Sequence, residues 1–273
     1  MCTVSGFESG RRLCLLAEVG GTGFALEATS IVEVAMVAEE ATVLRGQLPL
    51  VPLLERFGAP AGPPGTVAVV LDVSPTLTVR MERVAGVVDV GRAPFFLLPP
   101  WLGEGLIGRF RGALVHDGRL YLELAAEALV EDAGPARAPS LPTHWLAEAP
   151  DRALIFRAGN SLYGVPLALA GQVVPLQPPS LARLPVQEGP VMGLYSHASA
   201  LWPVCHPGRL AGGEGGFEDH LIFTEPAGQG VALSAGEILG VVDGLLETDR
   251  PGAFVGPGMQ SPALFLDLPR MFS

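Results

Sequence analysis

Ser196-His197 and Cys205-His206 are the two places where a serine or cysteine stands directly before an imidazole. A hydroxyl or thiol beside a base is the raw material of nucleophilic catalysis. Consecutive residues of a strand point to opposite faces, however, and no G-x-S-x-G elbow surrounds Ser196. Cys205, His206, His197 and His220 would be the donors of a metal site. They show no C-x-x-C or H-x-x-x-H spacing. "GGTG" at 20–23 lies between two strand-like runs, so no helix N-terminus follows to complete a phosphate cradle. "GGEGG" at 212–216 has the composition of a flexible loop tip. The expectation is a protein with no catalytic residues, no metal and no cofactor.

Charge narrows the partners. The formal net charge is −11, spread over both halves, and no basic stripe is present. Phosphate backbones and anionic bilayers need clustered positive charge, so neither nucleic acid nor a membrane surface is an expected partner. All 17 basic residues are arginine. Without lysine, P-loop, Schiff-base and kinase chemistry all lack their cation.

The three cysteines, Cys2, Cys14 and Cys205, are odd in number and widely spaced, and no secretory leader precedes them. The chain therefore reads as cytoplasmic with reduced thiols. The uncharged stretch 158–182 carries Asn160, Gln172, Gln177 and four prolines, so direct membrane insertion is not expected.

The elements that must position any site are mostly strands. "RRLCLLAEVGGTGFALEATSIVEV" reads as a hairpin turning at 20–23, and "ALVHDGRLYLEL" as a hairpin turning at Asp117-Gly118. "TVAVVLDV" is a continuous apolar run of strand length, suited to burial on both faces. Helical signals are short: 53–57, 125–130 and the closing "LPRMF". Trp101 and Trp145, in proline-rich connectors, are placed to clamp two halves together.

Those halves show as an internal repeat. "AGVVDV" at 85–90 recurs as "LGVVDG" at 239–244, and "LPLV" at 48–51 as "WPVC" at 202–205. Pairing Pro49 with Pro203 and Gly86 with Gly240 gives the same offset of 154. "FALEATSIVEV" matches "YGVPLALAGQV" at an offset of 139, so the second copy carries an insertion around 177–190. "RLYLELAAEALV" is answered by "ALFLDLPRMFS". The predicted organisation is a domain at 10–132, a linker at 133–150 and a second domain at 151–273.

The order within each copy is a hairpin, an "xEV" strand, an Arg-Gly-x-x-Pro run, a buried strand, a "GVVDV" run and a closing hairpin. This resembles the CheW-like domain, the coupling and scaffold module of bacterial chemosensory arrays. The resemblance covers nearly the whole chain as two tandem copies. It implies a mainly β fold in which each domain is a pair of five-stranded SH3-like barrels around a common core, with few short helices. It implies no enzymatic activity. It further implies partners, the regulatory domain of a CheA-like histidine kinase and the chemoreceptor tip, met at membrane-associated arrays through those partners. Arg45-Gly46 matches the Arg-Gly of the family, and the resemblance pairs Arg45 with Glu33 beside the receptor-binding surface. The expected partner-binding residues are Glu33, Val34, Arg45 and Gly46.

An arginine ending an apolar run needs a carboxylate or carbonyl, and Glu33 is the one acid of its strand. Gly46 would let the chain turn sharply beside it. The chain departs from the family in several places. Pro52 replaces the Asp that follows "PV". The second copy has Gln172 for the glutamate and Ala198-Ser199 for Arg-Gly. The two readings left are an adaptor coupling receptors to a CheA-like kinase, and a repurposed interaction module of the same fold in another cytosolic machine such as a motility or polarity complex.

Overall fold

The computed structural model describes residues 11–60, 62, 64–130, 141–185 and 189–273. Of the expected linker, 133–140 lies outside the described residues, as do Cys2 and residues 186–188 of the expected insertion.

The first half contributes β1 (Leu13–Val19), β2 (Thr22–Glu27), β3 (Ile31–Met36), β4 (Val43–Leu44), β5 (Leu48–Pro52), β6 (Val67–Leu71), β7 (Leu77–Met81), β8 (Arg83–Asp89), β9 (Phe95–Phe96), β10 (Phe110–His116) and β11 (Arg119–Leu124). The second half contributes β12 (Arg152–Ala158), β13 (Ser161–Pro166), β14 (Ala170–Pro175), β15 (Leu181–Arg183), β16 (Val191–His197), β17 (Ala200–Cys205), β18 (His220–Thr224), β19 (Val231–Ala235), β20 (Glu237–Asp243), β21 (Leu246–Glu247), β22 (Ala253–Val255) and β23 (Ala263–Phe265). Among the described residues the helices are short: α1 (Glu104–Ile107), α2 (Pro207–Leu210), α3 (Leu268–Met271), and 3-10 turns that include Leu53–Phe57 and Glu127–Leu129. Each expected helical stretch holds one of these. None is long and apolar enough to cross a membrane.

Local chemistry explains the elements. β6 is buried on both faces, as a continuous Val-Ala-Val-Val-Leu run requires. Asp117 and Gly118 both take positive φ, 48° and 73°, the pair of left-handed residues that matches the twist of a two-residue hairpin.

The strands form four sheets, ordered β8-β1-β2-β11-β10-β9, β3-β6-β7-β5-β4, β20-β12-β13-β23-β22-β21 and β14-β18-β19-β17-β16-β15. The first and third have the same order strand for strand. The second and fourth differ by β15 alone, which lies in the insertion and adds an edge strand. The protein is thus mainly β, with two sheets in each half. Three of the sheets have six strands rather than five, because a short edge strand (β9, β15 or β21) extends each of them.

Pairing register reproduces the offsets. Leu50 pairs with Thr78 on β7, and Val204 with Ala232 on β19, each pair displaced by 154. Gly86 faces Leu16, and Gly240 faces Ile155, at matching bulges in β1 and β12. Both glycines have φ beyond +120°, a conformation closed to side chains with a Cβ.

One hydrophobic cluster runs through both halves, from Phe24, Phe57 and Phe110 to Phe156, Leu233 and Phe272. Each sheet also encloses a smaller cluster of its own on its other face. Trp101 crosses between halves, meeting the Phe272 ring edge-on at 5.2 Å. Trp145 packs against the shared cluster. Its backbone bridges Leu266, and its side chain fills the space over Gly252, so it extends the edge of its own half.

Candidate functional site

The Arg45-Gly46 stretch forms the turn between β4 and β5. Arg45 and Gly46 take φ of 51° and 71°, and the Gln47 N–H donates to the Leu44 carbonyl at 3.1 Å. The left-handed backbone therefore falls on the arginine as well as on the glycine. For a residue with a Cβ this costs about 1–2 kcal/mol, so the turn holds Arg45 in a strained conformation.

From there Arg45 Nη2 donates to Glu33 Oε1 at 2.6 Å. β3 and β4 are the two edges of their sheet, so this contact spans the gap between the edges. Glu33 pairs with Val70 and Ala35 with Ala68, which places the carboxylate on the face of the small Leu44–Ala68–Val70 cluster. The pair is exposed on its arginine side, at 73 %, and more sheltered at Glu33, at 29 %.

Val34 stands on the opposite face, as strand alternation demands. It is the middle of a row, Val32, Val34 and Met36, exposed at 64 %, 45 % and 76 %. Val43 on β4 is also exposed. Three alternate apolar side chains on an edge strand form the kind of surface that folded chains usually blunt. The structure thus joins Glu33, Arg45 and Gly46 at one seam and sets Val34 in a separate row. Sequence reasoning picked out Val34 but missed Val32 and Met36, although alternation along "IVEVAM" carried the signal.

At the matching seam of the second half, His197 Nε2 donates to Gln172 Oε1 at 3.0 Å. The imidazole stacks on Phe223 with centroids 4.7 Å apart, and Trp202 meets the same ring edge-on. Ala198 and Ser199 take φ of 48° and 60° in the turn. This seam was not legible from Gln172 and Ala198-Ser199, because the bridging residue precedes the turn instead of sitting in it. The row that matches Val32, Val34 and Met36 is Gly171, Val173 and Pro175, and both strands carry a register shift, between Ile31 and Glu33 in β3 and between Ala170 and Val173 in β14.

The residues that suggested chemistry have other partners. His197 belongs to the seam. His206 caps α2: its Nδ1 accepts from the Gly208 N–H at 3.0 Å, so the ring proton sits on Nε2 and is donated to Glu218 Oε1 at 3.1 Å. Cys205 is fully buried, and burial pushes its thiol pKa up. Cys14 is buried too, and burial, with help from Glu123, raises its pKa to about 11. Among the described residues no group of three or more His, Cys, Asp or Glu could hold a metal ion.

No family model matches the sequence, and no curated protein matches it. Among solved structures, the chain is similar to the scaffolding protein TtCheW from Thermoanaerobacter tengcongensis, with 16% identity and a TM-score of 0.37 over 46% of this chain and 94% of that one.

Proposed function

We propose that the chain is a non-catalytic adaptor of a chemosensory-type assembly, built from two copies of one domain at 10–132 and 151–273. Its first copy holds the partner surface: the Val32, Val34 and Met36 row together with the Glu33–Arg45–Gly46 seam. Its partners are the regulatory domain of a CheA-like histidine kinase and the chemoreceptor tip, and it works in the cytoplasm.

The observation that carries this reading is the apolar row. Two exposed valines and a methionine on an edge strand invite association, even with a register shift at Val32, and the second copy replaces two of the three with glycine and proline. The resemblance of the Arg-Gly stretch supplies the partner class. The charged seam beside the row gives orientation and register more than raw affinity.

The test is a binding titration against a CheA-type regulatory domain and, separately, a receptor-tip fragment. Val34→Asp combined with Met36→Asp should abolish binding to at least one of them while leaving the circular dichroism spectrum unchanged. Wild-type protein that binds neither fragment would overturn the partner assignment. Binding that survives the double substitution would overturn the surface.

A further inference from the structure

Sheet pairing lets the interiors of the two corresponding six-stranded sheets be compared row by row. In the first half the row nearest the β1–β2 turn reads Glu18, Gly23, Tyr121, Leu114 across four strands. In the second half the same row reads Arg157, Leu162, Ala263, Phe254. One row deeper, Leu16, Ala25 and Glu123 face Ile155, Gly164 and Phe265.

The aromatic ring has moved by one row. Tyr121 lies over Gly23, where an added Cβ would come within 2.8 Å of the ring. Phe265 lies over Gly164 in the same manner but two residues deeper. Alanine thus stands in the second sheet where tyrosine stands in the first, while Leu162 and Phe254 replace Gly23 and Leu114 in the same row. Arg119, which meets Glu18 and lies over Tyr121, corresponds to Ser261. Two large side chains have become Ser and Ala.

Beside Ser261 lies an open cleft of about 590 Å³, within the size range of small-molecule sites, roughly 300–1,000 Å³. Its apolar lining includes Ile155, Leu162, Val242 and Met259, and its rim carries Arg157 and Arg250. The ion pair at the rim is also inverted. Glu18 answers Arg83 at 2.6 Å in the first half, whereas Arg157 answers Glu237 at 3.3 Å in the second. Arg250 makes no ion pair with any described residue. An unpaired guanidinium over an aliphatic floor, on a chain of net charge −11, selects a ligand that is anionic at one end and apolar along its length.

We propose that this cleft binds a small aliphatic carboxylate, its head on Arg250 and its chain along Ile155, Leu162 and Met259. A guanidinium matches a carboxylate with two parallel N–H donors, which an alcohol or amine does not reproduce. The proposal is independent of the β3 surface.

The test is a nitrogen-15 NMR titration of the full chain with octanoate, octylammonium and octanol. Octanoate should shift signals of β12, β13 and residues 256–264 saturably, with a Kd tighter than about 1 mM. Octylammonium should leave them unmoved, and octanol should bind more weakly. Arg250→Gln should weaken octanoate about tenfold, the loss of one charge-assisted contact. Ser261→Trp, which adds bulk at the cleft wall without a charge, should block octanoate; Gln260→Trp is the second plugging variant should Ser261→Trp unfold. No saturable shift, equal response to octanoate and octylammonium, unchanged affinity in Arg250→Gln, or shifts centred on β3 would each overturn the proposal.

Discussion

In the first half a charged pair, Arg45 and Glu33, closes the gap between β3 and β4. In the second half a neutral pair, His197 and Gln172, does the same between β14 and β16, with the imidazole laid on Phe223. The two solutions are mechanically equivalent and chemically different. The stacked pair is anchored by ring contacts and has no exposed apolar row beside it. The charged pair is mostly solvated, so it adds little to stability, and the row beside it is bare. Closing a sheet therefore does not require Arg-Gly. What sets the first half apart is its surface, an exposed guanidinium on one face of β3 and the exposed Val32, Val34 and Met36 on the other.

The comparison can be broken most forcefully inside the sheets. Gly164→Ala should destabilise the protein by about 3 kcal/mol, the upper end for overpacking, because the new methyl would intrude on the Phe265 ring. Gly23→Ala, with more room beside Tyr121, should cost less, and urea denaturation of both variants ranks them. Equal costs would show that the aromatic rings are not seated one row apart.

The thiols separate the halves through pH. Folded Cys14 keeps its proton to about 11 against a reference value of 9.0. Protonated thiol is thus favoured by folding, and its stabilisation, complete below pH 9, should fall away as pH rises from 9 to 11. In a Cys2→Ser background, Cys14→Ala should reduce that slope of the urea-midpoint profile by about half, because Cys205, also raised by burial, contributes over the same window. The Cys205 slope should begin at the same pH and continue above the range in which the Cys14 slope ends.

Arg45→Ala should weaken partner binding by about 1–3 kcal/mol, the range for losing a charged contact at an interface. Its effect on thermal stability should stay below about 1 kcal/mol, because the pair is exposed. Calorimetry on the same variant reads both. The smallest effect is expected from Ala198→Arg, which should leave binding within about 0.5 kcal/mol of wild type, since the Gln172 amide already accepts from His197. A large gain in binding from Ala198→Arg would mean that the second seam is a latent partner site.

Much of this was legible in the chain itself. Gly86 with Gly240 marked the repeat because each holds a backbone position that few residues tolerate, and Pro49 with Pro203 gave the same offset. The Arg45–Glu33 contact was legible because opposite charges on apolar strands need each other. The His197–Gln172 contact was not, because neutral hydrogen-bonding groups advertise no partner. Aligning "RLYLEL" with "ALFLDL" matches Tyr121 to Phe265, whereas strand pairing sets Tyr121 level with Ala263. A slip of two residues preserves every inward and outward position, so alternation alone gives no sign of it.

The shared cluster that runs from Phe24 to Phe272 has a consequence for how the molecule ages and fails. A chain cut between its halves would keep the fragments together as a non-covalent complex, since each supplies apolar surface that the other covers, and Trp101 would still rest on Phe272. Either fragment made alone would present that surface to solvent and aggregate. The two halves thus differ at their rims and share one centre.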